Sequence, residues 1–366
     1  MRIGVITFHA AENFGSALQA FALCSVLRRL GNEVKLIDYR YTNDLRQYNC
    51  FRTNIYKERP KAILGDVLYF PYNFKRKHRF EKFRDKYFEM TETEYRDFDN
   101  LDALNNQFDC FVCGSDQIWN TNCLGCVVEP YFLGFASEDK RKIAYAPSMP
   151  SDINKDFYAD VIRLVNDLSF VSVRELKTSE ILKDKLGVDK DISVVLDPTL
   201  LLEKKDYIKT FDLQNDKGNY IFLYILGDGP QNILMINEAK RLASKHHINI
   251  KYVYIRRIKQ LKTADFCLGI GPVDFLQLIY NARFVVTDSF HATVFSLIFG
   301  KIFLTYGRKG SESRTLQLLE NVNLKNHYFS SQIGDWDEDD YDKEYVTAAI
   351  KQQAKESLCF LNDALS

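Results

Sequence analysis

Short apolar runs alternate along this chain with stretches of helical periodicity, and that alternation constrains the fold more than any other feature. Residues 2–8 read as a strand, 15–30 as an amphipathic helix carrying Leu18, Phe21, Ala22, Val26 and Leu30, and 33–39 as the next strand. Runs that are apolar throughout suit strands buried on both faces of a parallel sheet. Parallel neighbours need a crossover, so the alternation spells βαβ units with right-handed connections. Strands are expected again at 108–113, 143–146, 170–173 and 192–196, with a helix at 160–168. The run Asp197-Pro198-Thr199 then breaks the chain. A second series follows, with strands at 220–226, 248–253, 284–286 and 302–305 and helices at 231–245 and 273–281. Neither first turn, His9 to Gly15 nor Gly227 to Pro230, carries a GxGxxG dinucleotide fingerprint.

At 366 residues the chain is long for one core, and two domains are the natural division. The expected fold class is α/β, two Rossmann-like doubly wound domains facing a cleft. The first domain spans 1–198, with a helical insertion at 57–87, and the second spans 199–342. A last helix within 343–366 is expected to pack toward the first domain. Zero formal net charge argues against a dedicated nucleic-acid binder. No apolar run reaches the roughly 18–20 residues of a membrane span. The start, MRIGVITFH, lacks a cationic region followed by a long apolar one, so the expectation is a cytoplasmic protein with its eight cysteines reduced.

The insertion departs from the alternation. Ten Lys or Arg stand against four Asp or Glu in 57–87, interleaved with Tyr69, Phe70, Tyr72, Phe74 and Phe80. Pro60 and Pro71 are expected to break it into helical pieces. Such a segment is compatible with a solvated charged face or with peripheral contact at the inner face of a membrane. The spacing of Cys110, Cys113, Cys123 and Cys126 suggests a zinc site. Cys110 and Cys113 fall within an apolar strand, however, where residues three apart point to opposite faces, so packing cysteines are expected instead. The acidic run Asp335, Asp337, Glu338, Asp339 and Asp340 reads as a loop before the last helix.

Three places carry candidate chemistry. Thr287 to Gly300 reads TDSFHATVFSLIFG, a strand end followed by the capping types Asp288 and Ser289 and a helix with His291 in its first turn. Helix starts at strand carboxyl ends favour anions. On these grounds His291 suits either packing or proton transfer. Gly114, Ser115 and Asp116 follow a strand and offer backbone N–H groups and side-chain oxygens. Arg174 ends another strand, where its guanidinium suits either a carboxylate of the protein or an anion from outside.

Six strings together resemble the polysaccharide pyruvyl transferase family. They are NFGSALQAFAL from Asn13, GSDQIWN from Gly114, KIAYAPS from Lys142, SVRE from Ser172, LDPTLLL from Leu196 and TDSFHATVFSLIFGK from Thr287. The resemblance implies a GT-B-like pair of Rossmann domains and transfer of pyruvate from phosphoenolpyruvate onto two sugar hydroxyls as a ketal. The acceptor would be a saccharide of a cell-surface polysaccharide or its lipid-linked precursor. It implies no redox cofactor and no obligatory metal. It also implies an acid/base and donor-contact role for His291, with Asp288 and Ser289 orienting it or lining the pocket. Arg174 would hold the donor's anionic groups. Gly114, Ser115 and Asp116 would line the first-domain wall, Asp116 accepting a proton from an acceptor hydroxyl. Apart from the resemblance, Asn13 and Gly15 in the first turn suit either backbone close to a ligand or a plain strand-to-helix turn. Many family members carry an Arg two residues before the motif histidine. Ser289 stands there, so carboxylate binding falls to Lys301, Arg308 or Arg314. Two rivals share the architecture: a glycosyltransferase using a nucleotide-sugar, and a non-catalytic carbohydrate-binding relative.

Overall fold

The computed structural model describes residues 1–42, 50–51, 62–97, 99–150, 152–216, 218–308, 312–330 and 341–366. The acidic run at 335–340, Pro60 and the first residues of the expected insertion lie outside them. The chain divides into two compact units, one of Met1–Leu201 with Gln353–Ser366 and one of Leu202–Gln352.

Unit 1 is a six-stranded parallel sheet. Its strands are β1 (Arg2–Ile6), β2 (Glu33–Leu36), β3 (Cys110–Cys113), β4 (Arg141–Ala144), β5 (Phe170–Val173) and β6 (Ile192–Val194), in the order β2-β1-β3-β4-β5-β6. Helix α1 (Phe14–Arg29) crosses from β1 to β2. Order reverses between β1 and β3, where Ile6 lies opposite Cys113. The reversal forces the loops after these two strands apart and opens a crevice at their carboxyl ends. Trp119 and Phe132 stack at 4.8 Å in the core, and the indole N–H donates to the Tyr131 carbonyl at 2.9 Å.

Helix α2 (Ala62–Tyr87) follows β2 and is continuous through Pro71, which corrects the expectation of separate pieces. Proline deletes one backbone donor and crowds the carbonyl four residues back. Here Pro71 is exposed, so water can take that carbonyl, and the helix is held further along. Phe80 is fully buried and stacks on Phe14 at 5.5 Å, and Arg76 pairs with Glu12 at 3.0 Å. A nine-residue helix, α3 (Tyr158–Asn166), precedes β5.

Unit 2 is also parallel. Helix α4 (Lys204–Phe211) leads into β7 (Tyr220–Tyr224), α5 (Gln231–His246), β8 (Asn249–Val253), β9 (Asp265–Phe266), α6 (Pro272–Asn281) and β10 (Phe284–Thr287). Helix α7 (Phe290–Phe299), β11 (Ile302–Tyr306), α8 (Glu312–Asn321) and β12 (Tyr328–Phe329) complete the series. The order β9-β8-β7-β10-β11-β12 is that of a dinucleotide-binding Rossmann sheet, reversing between β7 and β10. Tyr224 there lies opposite Thr287. The α/β class with two Rossmann-like units is therefore the one expected. Helix α9 (Lys343–Leu365) starts in unit 2, and its residues from Gln353 onward belong to unit 1.

Cys110 and Cys113 are both fully buried in β3. Burial pushes the Cys110 thiol up to about 12 and the Cys113 thiol up as well, so both disfavour the thiolate that a metal would need.

Candidate functional site

In unit 2 the strand β10 delivers the TDSFH segment to the point where strand order reverses. Thr287 locks the strand end, its hydroxyl donating to the Tyr224 carbonyl of β7 at 2.9 Å and accepting from the Ser289 N–H at 3.1 Å. Ser289 has extended backbone geometry and caps α7, its hydroxyl oxygen accepting from the Ala292 N–H at 3.4 Å. The Asp288 carboxylate accepts from the Leu226 N–H at 2.7 Å and the Gly227 N–H at 2.8 Å. It thereby ties the loop after β10 to the loop after β7, and both of its oxygens are engaged in positioning.

His291 lies in the first turn of α7, 9% exposed, its ring edge-on to Phe290 at 5.2 Å. Two arginines arrive from further along the chain. Arg308 follows β11 and lies across Gly227. A Cβ built on Gly227 would stand 2.7 Å from Arg308 Cδ and 2.9 Å from Asp288 Oδ2, so a side chain there would displace one of them. Arg314 is buried on α8, with its guanidinium 5.7 Å from the Phe290 ring centre, within cation–π range. His291, Arg308 and Arg314 thus gather where the positive end of the α7 dipole already favours an anion.

Lys301 does not join them. Helix α7 ends at Gly300, whose φ of +63° is left-handed, and the Lys301 N–H turns back to the Ser296 carbonyl at 2.8 Å. That leaves Lys301 at the amino end of β11, about 15 Å of helix from His291, at the opposite end of α7. It lines a separate cavity of about 400 Å³ with Tyr280, Arg283 and Asn219. Its ammonium and that of Lys204 lie 5.6 and 5.7 Å from the Tyr280 ring. Burial, then Lys204 and Lys343, push Lys301 down to about 8.

The reversal point of unit 1 is built differently. Gly114 has φ +117° and passes against the Tyr145 carbonyl so closely that no Cβ fits. Ser115 is fully buried, its N–H donating to Gln19 Oε1 at 3.0 Å and its hydroxyl to the Ala146 carbonyl at 2.7 Å. Asp116 accepts from the Ser16 hydroxyl at 2.7 Å. Asn13 caps α1, its side-chain oxygen taking the Gly15 N–H at 2.9 Å and the Ser16 N–H at 3.3 Å. Asn13 therefore takes up backbone donors of the α1 start itself.

Arg174 sits among three carboxylates. It donates to Asp197 Oδ2 at 2.8 Å and to the Ser148 hydroxyl at 2.6 and 3.0 Å, with Glu175 and Asp116 each 3.7 Å away. Ser148 passes its own proton toward Glu175 at 2.9 Å. Burial opposes the arginine's charge, but the carboxylates outweigh it and raise its pKa. Arg174 is thus a buried cation whose donors are taken up by carboxylates and a hydroxyl of the chain, not an open fork. Sequence reasoning passed over His9, whose Nε2 lies 3.0 Å from Asp38 Oδ1 and whose Nδ1 lies 3.1 Å from the Thr7 carbonyl. Its only signal was a histidine directly after the first strand. Burial works against the Asp38 charge, yet the bonds from His9 and Arg40 hold its carboxyl well below the usual range.

Comparison with known proteins bears on the family and the fold of the chain. The model of the polysaccharide pyruvyl transferase family matches residues 13–310. No curated protein sequence matches the chain. Among solved structures, a Listeria monocytogenes protein assigned as a UDP-N-acetylglucosamine 2-epimerase is 11% identical with a TM-score of 0.51, the match covering 99% of this chain and 88% of that one. The UDP-GlcNAc 2-epimerase of Neisseria meningitidis, bound to UDP-GlcNAc, is 11% identical with a TM-score of 0.48, covering 100% and 94%. An E. coli heptosyltransferase with ADP is 10% identical with a TM-score of 0.43, covering 96% and 100%. At such identities the likeness speaks to the fold alone.

Proposed function

The chain belongs to the polysaccharide pyruvyl transferase family, and on that premise we propose that it moves pyruvate from phosphoenolpyruvate onto two hydroxyls of a saccharide. The observation that carries the reading is the gathering of His291, Arg308 and Arg314 at the start of α7. Phosphoenolpyruvate holds a carboxylate and a phosphate close together, and two guanidiniums beside a helix start match that pair of anions. In this reading the arginine that Ser289 replaces is made good by Arg308 after β11 and Arg314 on α8.

The chemistry balances without an oxidant. Protonation of the donor's methylene carbon makes C2 electrophilic. One hydroxyl adds there, phosphate departs from C2, and the second hydroxyl adds in its place. Of the two hydroxyl protons released, one balances the proton given to the methyl group and the other leaves with phosphate. His291 gives and takes these protons in this reading, since imidazole exchanges protons near neutral pH. Asp288 is a positioning residue. The saccharide, lipid-linked or free, and action on the cytoplasmic side belong to the same proposal.

The test is thermal unfolding of the purified chain with phosphoenolpyruvate, followed by phosphate release with candidate saccharides. Donor-dependent stabilisation that His291→Ala and Arg308→Ala abolish is the expected result. Stabilisation by UDP or ADP and none by phosphoenolpyruvate would overturn the reading in favour of a nucleotide-sugar enzyme.

A further inference from the structure

Helix α2 is anchored at one end and bare at the other. Its later half is fixed to unit 1. Phe80 is buried against Phe14, Arg84 donates to the Ala10 carbonyl at 3.3 Å, and Arg76 holds Glu12 with a second bond to the Glu12 carbonyl at 3.0 Å. Its earlier half carries the densest group of exposed large apolar side chains among the described residues. Leu64 is 74% exposed, Leu68 68%, Phe74 59% and Val67 58%, with Ile63, Phe70 and Tyr72 also open. Ile63, Val67, Phe70 and Phe74 recur at i, i+4, i+7 and i+11, a single stripe, and Leu64 and Leu68 form a second row beside it. Phe70 and Phe74 approach to 6.0 Å, and Phe51 stacks on Phe70 at 5.2 Å.

Each row ends in an exposed lysine. Lys75 falls seven residues after Leu68, and Lys77 seven after Phe70. Between Ala62 and Arg79 the only acidic residue is Asp66, and it is buried. An apolar stripe left largely exposed among the described residues and flanked by cations, with no acid of its own on the surface, calls for a partner that is apolar below and anionic above. A bilayer containing acidic lipid has that profile. A second copy presenting the same face would bring only more lysine. No helix among the described residues is long and apolar enough to cross a membrane, so the helix lies along the surface.

We propose that the first half of α2 is a docking face for an anionic lipid bilayer, with Leu64, Leu68, Val67, Phe70 and Phe74 entering the headgroup boundary and Lys75 and Lys77 at the phosphates. The site is independent of the transfer chemistry, and its test requires neither donor nor acceptor. The full chain is floated with vesicles of phosphatidylcholine alone and of phosphatidylcholine with phosphatidylglycerol. The expected result is salt-sensitive flotation with the acidic vesicles, reduced about tenfold or more by Lys75→Glu with Lys77→Glu and by Leu64→Glu with Leu68→Glu. Ile255→Glu, an exposed apolar residue of unit 2, keeps wild-type flotation. All these side chains are exposed, so unchanged thermal midpoints confirm that the variants fold. Absence of flotation, equal flotation with neutral vesicles, or flotation untouched by both double variants would each overturn the proposal. So would a dimer in sedimentation velocity that Leu64→Glu with Leu68→Glu converts to monomer, because the face would then belong to a second copy.

Discussion

Each unit reverses its strand order once, and the carboxyl ends of the two sheets are furnished differently. In unit 1, Asp116, Glu175 and Asp197, from the ends of β3, β5 and β6, surround Arg174, and Asn13 caps the α1 start with its own amide oxygen. In unit 2, one carboxylate, Asp288, is spent on two backbone N–H groups, and two arginines stand nearby. The same topology therefore serves two ends. An acid-rich, internally bonded crevice suits a scaffold, whereas a cationic one beside a helix start suits the anion of the proposed donor. The six motif strings do not distinguish these roles, because both crevices draw on them.

The comparison breaks first at Arg174. Arg174→Met should leave Asp197 and Glu175 buried without their cation and cost about 3–5 kcal/mol, read as a lowered midpoint in chemical denaturation. If stability is unchanged while donor binding disappears, Arg174 is not the scaffold described. Arg308→Ala should do the reverse. Basal stability should change little, while the donor-dependent stabilisation, about 2.7 kcal/mol at one hundred times Kd, should fall toward zero in thermal unfolding. Asp288→Ala sharpens the contrast within unit 2. Losing two charge-assisted bonds should cost about 2 kcal/mol, and the donor effect should weaken only as the β7 and β10 loops part.

The smallest effect concerns Lys301, whose folded pKa of about 8 lies below its ordinary 10.5. Below pH 8 the lysine is charged in both states, and burial penalises the folded one. Between about 8 and 10.5 the unfolded chain holds a proton that the folded chain has released, so stability rises with pH. Lys301→Met should thus be more stable than wild type near neutrality. That advantage should shrink through this window in denaturation curves taken at each pH. An advantage that does not depend on pH would count against the burial of this ammonium.

Much of the fold was legible because parallel strands buried on both faces are continuous apolar runs, and 170–173 was placed to the residue. The two-residue edge strands Asp265–Phe266 and Tyr328–Phe329 are too short to show any period. Pro71 misled because local propensity ignores the anchoring supplied by Phe80 and Arg76. At the site, His291 and its capping neighbours could be read locally, since a cap is a matter of adjacent residues. Arg308 across Gly227, and Asp197 and Asp116 about Arg174, could not. Those encounters depend on which strands neighbour one another, and strand order leaves no mark in local periodicity.

Helix α9 has a consequence for how the protein is made. The Ser357 hydroxyl accepts from the Leu196 N–H at 3.0 Å, Phe360 packs 6.4 Å from Tyr145, and Leu361 and Ala364 are fully buried. These residues complete unit 1 yet follow all of unit 2 in the chain. During synthesis, unit 1 emerges first but waits with the Leu196 backbone and the Tyr145 ring uncovered, while about 150 further residues are added. Unit 1 therefore completes its core only after unit 2 has been added. The first unit to be translated is the last to be finished.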